Sequence, residues 1–567
     1  MYEGVNASDG IGIGVARVAI APDLSFVPTK PEDPEAEKAR FLAARDKFVD
    51  ATNAQIERMK ANGLEKEAGI MTAHIEFGTD DGIKDMVEGS IDGGMCAEQA
   101  VTEAYDMYYN MFSAMEDELF RERAADVADV KVGLLADLLG KEVVDLSSLP
   151  ENSIVVVEEL TPSMTADIDK DNVAAIVTET GGRTSHAAII CRALEIPAVL
   201  SVAGATKNIA TGDLCVVDGA KGTVIVDPSA DELETYRQQA KKLAEEKAAL
   251  EAFRGVPTKT ADGIEKILVA NIGNPNDANA AVEHDAEGVG LFRSEFLFMD
   301  AQELPSEDEQ FAAYQKVALR MKDQPVIIRT LDVGGDKEIP YMDLPKEENP
   351  FLGYRAIRYC LNNPEEYKVQ LRALLRASAF GDVKIMVPLV TCIDEIRKVK
   401  ALVEECKAEL DERGIKYNPD IEIGTMVETP AASLIADVLA SECDFFSIGT
   451  NDLIGYTMCA DRGQDKVAYL YNPYQPAVLR SLQRIIGEAN KAGIMVGMCG
   501  EAAADPLFIP VLIGFGLDEF SVSAPSILKA RRIISQWTKE EADALVAKIM
   551  QFKTDAEVKA ALQAAAK

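Results

Sequence analysis

Histidine is scarce in this chain: 567 residues contain three, His74, His186 and His284. Any chemistry that needs an imidazole is therefore confined to three positions. The nine cysteines are scattered, odd in number and include no C-x-x-C pair, which excludes a disulfide framework or a cysteine zinc site and implies reduced thiols. Positive charge is in deficit. Asp and Glu number 95 against 58 Lys and Arg, a formal charge of −37 that repels nucleic acid and anionic membrane and suits a basic protein partner. No apolar run is long enough to span a bilayer, and the start, Met1-Tyr2-Glu3-Gly4, has neither a basic n-region nor an apolar h-region. These absences predict a cytoplasmic protein.

What is present is ample core: 47% of residues are hydrophobic, and the length allows about three or four domains. Residues 10–20, Gly-Ile-Gly-Ile-Gly-Val-Ala-Arg-Val-Ala-Ile, read as a turn and a strand. The βαβ setting with a later acidic residue that a dinucleotide fingerprint requires is missing. From Pro34 to about Gly140 the pattern is helical. Phe41, Phe48, Ile56 and Met59, then Tyr105, Tyr108, Met111, Phe112 and Met115, form the expected core stripes of a helical bundle. His74 reads as a polar residue on a helix face. Short strands return at 154–157, 173–178, 198–202, 214–218 and 223–226, and the early strand pairs with them, which makes the helical region an insertion. The charged stretch 231–257 reads as a connecting helix ended by Gly255 and Pro257.

Eight strand-like runs then alternate with helical patterns: 266–271, 288–295, 326–332, 384–390, 421–428, 445–452, 494–501 and 519–523. Eight such repeats fit a (β/α)8 TIM barrel, whose active site lies at the C-terminal ends of its strands. Arg293, Arg329, Glu428, Asn451, Asp452 and Cys499 fall at those ends. Arginine forks from two strands can clamp a dianion. Glu428 and Asp452 offer two carboxylates, which suits Mg²⁺ completed by water and substrate oxygens. Arg462 adds a third cation just beyond. Cys499, between Met498 and Gly500, is a neutral thiol able to donate a proton, and read alone it fits a small core residue equally well.

A second site lies in Glu179-Thr180-Gly181-Gly182-Arg183-Thr184-Ser185-His186, between a strand-like run and an apolar helical pattern. The glycines allow close backbone approach, and His186 falls in the first turn of a helix, where free N–H groups and the helix dipole favour an anion. This segment resembles the phosphohistidine loop of the phosphoenolpyruvate-utilising enzymes.

Together with Glu122-Arg123-Ala124-Ala125-Asp126-Val127, Gly334-Gly335-Asp336-Lys337, the stretch from Lys346 to Gly353 and Asp444-Phe445-Phe446-Ser447-Ile448-Gly449-Thr450, nearly the whole chain resembles the enzyme I family of bacterial sugar phosphotransferase systems. The resemblance implies a multidomain α/β protein. Residues 1–20 and 146–230 would form a phosphohistidine α/β domain, and 21–145 an inserted helical domain that docks a histidine-containing phosphocarrier protein. Residues 231–257 would form a linker, and 258–567 a TIM barrel that binds phosphoenolpyruvate and dimerises. His186 would be phosphorylated with Thr165 as hydrogen-bond partner. Arg293, Arg329, Asn451, Asp452 and Arg462 would line the substrate site, Glu428 and Asp452 would hold Mg²⁺, and Cys499 would protonate the enol product, with Lys337 and Arg355 in support. The sequence departs from the family at Ile454-Gly455, where a polar Thr-Gln pair is usual, and at 127–132, which carries fewer basic residues.

Pyruvate phosphate dikinase and phosphoenolpyruvate synthase share the histidine loop and barrel but need an ATP-binding domain. The residues ahead of the sheet domain are mostly helical and lack a glycine-rich nucleotide loop. A non-catalytic paralogue that only senses phosphoenolpyruvate would have lost part of a site that is complete here.

Overall fold

The valine- and isoleucine-rich runs form two sheets, one in each of two compact units, Met1–Glu246 and Lys247–Lys567. The computed structural model describes all residues except 20–23, 62–64, 115–117, 142–145, 147–148, 161–163, 165–167, 169–171, 183–184, 300, 336–338, 343, 462–463 and 465.

In the first unit eight strands, β1 (Tyr2–Glu3), β2 (Val5–Ser8), β3 (Ile11–Ala19), β4 (Ser153–Val157), β5 (Val173–Thr178), β6 (Ala198–Leu200), β7 (Leu214–Asp218) and β8 (Thr223–Val226), run in the order β1-β8-β7-β3-β4-β5-β6-β2. The central β3, β4, β5 and β6 are parallel. Their near-continuous apolar sequences follow from burial on both faces, and all of β4 is buried. The glycines of β3 have a packing cause. A Cβ on Gly12 would lie 2.3 Å from the Ala174 carbonyl oxygen, and one on Gly14 would lie 1.9 Å from that of Asn152. They admit neighbouring backbone, not a nucleotide.

Among the described residues five helices, α1 (Pro34–Ala61), α2 (Glu65–Thr79), α3 (Asp81–Asp92), α4 (Ala97–Ser113) and α5 (Glu118–Leu139), stand between β3 and β4, so the bundle is inserted into the sheet domain. Phe41 and Tyr105 are buried in its core, and Phe48, Tyr108 and Phe112 pack against it. Met111 does not join them. It is exposed near the end of α4, along with Met107 and Tyr109. His74, read as a polar residue on a helix face, lies on α2 but is buried. It is 1% exposed, with Nε2 3.3 Å from Asp126 and Nδ1 3.7 Å from Asp129 on α5. Period-3.6 patterning marks the apolar stripe but does not register a histidine buried by carboxylate partners. The segment read as a connector is helical over Ala230–Glu251, with no buried residue.

The second unit closes β9 (Ile267–Ile272), β10 (Val289–Arg293), β11 (Val326–Arg329), β12 (Val383–Val387), β13 (Ile423–Val427), β14 (Phe445–Ile448), β15 (Met495–Met498) and β16 (Glu519–Ser523) into an all-parallel barrel, each strand in the place its sequence predicts. Side chains alternate along most strands, with a bulge on β10 between Val289 and Phe292. Phe446, Ile448, Val496 and Met498 face the outer helices, whereas Leu291, Ile327, Met386, Met426, Phe445 and Cys499 fill the lumen. The strands are shorter than the sequence suggests. Glu428 and Cys499 lie one residue past β13 and β15, and Asn451 and Asp452 sit in the first turn of the helix Thr450–Met458 rather than on β14. Gly449, between strand and helix, adopts a backbone conformation that ends the ladder.

Glu307 ties three outer helices together. It opens the helix Glu307–Met321 and accepts from Arg372 at 2.7 Å and Arg376 at 2.7 Å on the helix Pro364–Ala377, and from Arg413 at 2.9 Å just after the helix Ile393–Glu412. Burial disfavours its charge, yet hydrogen bonds from Arg413, Arg372 and Arg376 outweigh this and lower its pKa to about 2. A carboxyl depressed on folding contributes stability that is complete above its unfolded value of about 4.3 and is lost as pH falls towards 2. Glu307→Gln should cost about 1–2 kcal/mol at pH 7 and flatten the barrel's acid unfolding profile between those limits. Denaturant titrations at a series of pH values measure both effects.

Candidate active site

The strand ends converge on a chain of alternating charge. Arg293 and Arg329 are register partners on β10 and β11 and bring two guanidinium groups to one rim. Arg329 is buried and pairs with Glu295 through one nitrogen and with Asp332 at 2.9 Å through the other. Asp332 also accepts from Arg355 at 2.9 Å, and Arg355 reaches Asp452 at 3.2 Å and the Tyr456 hydroxyl at 3.3 Å. Burial alone would lower the pKa of both arginines, but Asp332 and its acidic neighbours more than offset it, so both stay charged. The glycines of Gly334-Gly335 make this possible. Gly334 has φ +104°, and a Cβ there would lie 2.5 Å from the Cβ of Arg355.

The network is not saturated. Among the described residues, Nε of Arg329, Nε of Arg355 and Oγ1 of Thr450 are buried without a hydrogen-bond partner. Native interiors rarely leave such donors orphaned. Buried arginine donors at a barrel mouth suit an anion with several oxygens.

Glu428 is 2% exposed and accepts from the Leu389 N–H at 2.7 Å. Burial first, then the charges of Asp452 and Asp332, push its carboxyl well above the usual range, against the smaller pull of Arg329 and Arg355. A buried carboxyl crowded by two others is a natural ligand for a hard divalent cation, which would neutralise what now opposes its charge. No group of three His, Cys, Asp or Glu among the described residues forms a closed metal cage. Gly449 makes room, since a Cβ on it would lie 2.6 Å from Glu428 Oε2.

Cys499 closes the far side of the rim. It is 3% exposed, its Sγ is 3.7 Å from the Ile448 carbonyl oxygen, and burial pushes its thiol up to about 11. The thiol is therefore protonated at neutral pH. Asn271 on β9 donates to the Cys499 carbonyl at 3.0 Å and anchors the turn. The carbonyl of Asn451 accepts from Tyr471 at 2.9 Å. At the departure noted above, Ile454 is buried in the outer core, and a Cβ on Gly455 would be 3.8 Å from the Tyr471 ring. Arg462, Lys337 and Thr165 lie outside the described residues.

In the first unit His186 is the first residue of α6 (His186–Ala193). Ser185 caps the helix, its hydroxyl accepting from Ala188 N–H at 3.4 Å and donating to the Gly182 carbonyl at 2.8 Å. Gly181, at φ +105°, makes the turn that a side chain would strain. His186 thus starts a capped helix, as the sequence predicts. His74 faces carboxylates, and His284 Nδ1 lies 2.9 Å from the Ala280 carbonyl oxygen.

Three family models match the chain: the N-terminal region of the phosphoenolpyruvate-utilising enzymes over residues 3–123, their mobile domain over 149–222 and their phosphoenolpyruvate-binding domain over 247–539. The phosphoenolpyruvate-protein phosphotransferase of Staphylococcus carnosus is 46% identical over 558 residues, covering 98% of this chain and 97% of the relative. That of Bacillus subtilis is 45% identical over 561 residues, covering 98% of each. The chain belongs to the phosphoenolpyruvate-protein phosphotransferases. It is an enzyme of that family, built from the family's three regions in order.

Sequence reasoning missed Glu295, Asp332, Tyr456 and Asn271. Glu295 and Asp332 close the strand-like runs 288–295 and 326–332, two and three residues after Arg293 and Arg329. Their signal was a carboxylate next to an arginine destined for burial.

The geometry around Gly449 gives a test. Gly449→Ala should push the Glu428 carboxylate aside and cut phosphoenolpyruvate turnover about 100-fold while thermal unfolding stays near wild type. Steady-state kinetics with a melting curve check it.

Proposed function

We propose that the chain transfers the phosphoryl group of phosphoenolpyruvate to His186 in a Mg²⁺-dependent reaction that releases pyruvate. His186 then passes the group to a histidine of a small phosphocarrier protein, the first step of sugar phosphotransferase uptake. The orphaned arginine donors beside crowded carboxylates at the barrel mouth carry this reading. Phosphoryl transfer demands charge stabilisation and positioning more than covalent help.

In this reading Arg293 and Arg329 receive the phosphate and carboxylate oxygens, Asn451 and Arg462 complete the contact, and Arg355 and Lys337 support them. Glu428 and Asp452 hold Mg²⁺, which when bound offsets negative charge on the reacting oxygens. Asp332 holds Arg329 and Arg355 apart at a fixed spacing, so neither reorganises as the P–O bond breaks. Cys499 delivers its proton to the enolate carbon to give pyruvate. His186 accepts the phosphoryl group at the start of α6, where the helix dipole and free N–H groups favour it, with Thr165 supporting the imidazole.

The division into a phosphohistidine domain (1–20 and 146–230), a carrier-docking bundle (21–145), a linker (231–257) and a phosphoenolpyruvate-binding and dimerising barrel (258–567) belongs to the same proposal. So do a cytoplasmic location and a homodimer formed through the barrel. The bundle's acidic surroundings suit a basic-faced carrier. Among the described residues no helix is long and apolar enough to cross a membrane.

Incubation with ³²P-labelled phosphoenolpyruvate tests the assignment. Acid-labile label should enter the wild type, disappear when Mg²⁺ is chelated and disappear in His186→Ala, but persist in His74→Ala and His284→Ala. Label persisting in His186→Ala would move the acceptor elsewhere.

A further inference from the structure

A cavity of about 340 Å³ lies on the outside of the barrel, beside the turn that follows β11. Phe298, Leu304, Leu331, Tyr359, Tyr367 and Val369 form its apolar wall. Phe298, Leu331 and Tyr367 are buried, whereas Leu304 and Glu366 are exposed, so these two mark the mouth. Native interiors contain few voids larger than a water molecule, and an apolar space of this size costs stability when nothing fills it. An open cavity with apolar walls and few polar groups is the form a small-molecule site takes.

The polar side chains inside the cavity are already engaged. Gln370 accepts from the Leu331 N–H at 2.9 Å and donates to the Ser294 and Tyr314 hydroxyls, each at 3.0 Å. Gln310 accepts from the Tyr314 hydroxyl at 3.2 Å and donates to the Pro305 carbonyl at 2.9 Å. Glu307 is held by its three arginines. Glu366 differs. Its Oε2 accepts from the Tyr359 hydroxyl at 2.5 Å, and among the described residues no cation pairs with it. The cavity therefore joins an apolar, ring-lined body to a negative mouth.

We infer that this cavity binds a small aromatic amine, its ring in the apolar body and its ammonium group on Glu366, and that occupancy tightens phosphoenolpyruvate binding at the barrel mouth. At about 30 Å³ for each water-sized atom the space takes about ten non-hydrogen atoms, which is one ring with a short aminoalkyl arm. The ammonium gains a charge-assisted hydrogen bond from the carboxylate and a ring face from Tyr359. A carboxylate ligand of the same shape meets repulsion there.

The path to the mouth is short. Leu331 lines the cavity and immediately precedes Asp332. Tyr359 and Cys360 line it from the helix Ile357–Asn362, which begins two residues after Arg355. Asp332 and Arg355 are themselves paired at 2.9 Å. Two walls of the cavity thus carry the two ends of that pair, and a ligand packed between them fixes the spacing before substrate arrives. This coupling rests on the reading of the barrel mouth as the phosphoenolpyruvate site.

Ligand-observed NMR titration of the full chain with phenethylamine, 2-phenylethanol and phenylacetate tests the site. Phenethylamine should bind with a Kd of about 0.1–1 mM, the alcohol about 10-fold more weakly, and phenylacetate not measurably. Glu366→Gln should weaken the amine about 10-fold and leave the alcohol unchanged, while Val369→Trp, which fills the body, should abolish both. Saturating phenethylamine should lower KM for phosphoenolpyruvate about 5-fold, and phosphoenolpyruvate should tighten the amine by the same factor. Absence of amine binding, or equal affinity for amine and alcohol in the wild type, would overturn the site. So would affinity that falls as protein concentration rises, which would give the cavity to a second copy of the chain. Amine binding with an unchanged KM would overturn the coupling. Phosphoenolpyruvate binding left intact by Arg329→Lys would sink the reading of the mouth instead, and the amine titration without phosphoenolpyruvate still decides the cavity.

Discussion

Asp332 is the constraint on which the site depends. It lies between Arg329 and Arg355, 2.9 Å from each, and so fixes two buried cations that would otherwise repel. Glu295 and Asp452 extend the chain on either side. Removing one partner from a buried pair of this kind costs about 3–5 kcal/mol, since it strands the other charge. The network holds its geometry before any substrate arrives, which is the condition for electrostatic catalysis without reorganisation.

The barrel supplies the rest by placement. Adjacent strands in register bring Arg293 beside Arg329, and the turns after β13 and β15 project Glu428 and Cys499 to the same rim. Three glycines set the clearances. Gly334 lets the chain pass Arg355, Gly449 admits Glu428, and Gly500 leaves room for the Thr450 hydroxyl, which a Cβ would meet at 1.8 Å. In the other unit Gly181 and the Ser185 cap place His186 at a helix start.

Much of this was legible in advance because the period of hydrophobicity changes between regions. Eight apolar runs spaced by helical patterns pointed to the barrel, and the charged residues Arg293, Arg329 and Glu428 and the thiol of Cys499 stood out at their ends. Strand ends were drawn too long, since the chain passes from β14 through Gly449 straight into the helix Thr450–Met458, and periodicity cannot place that boundary over so few residues. Asp332 and Glu295 were passed over because a carboxylate beside an arginine in sequence reads equally well as a solvated pair. Only the fold shows that both are buried. His74 and Met111 failed in opposite senses: a polar residue found partners in the bundle, and an apolar one stood near a helix end with nothing packed over it.

The central claim is that this charge network forms one site for a phosphorylated carboxylic acid and a divalent cation. A crystal structure of the full chain with phosphoenolpyruvate and Mn²⁺, located by anomalous scattering, tests it most directly. The account expects one manganese peak joining Glu428 and Asp452, with the phosphate within about 3 Å of the Arg293 and Arg329 guanidinium groups. A phosphate bound away from those arginines, or a metal peak that touches neither carboxylate, would contradict it.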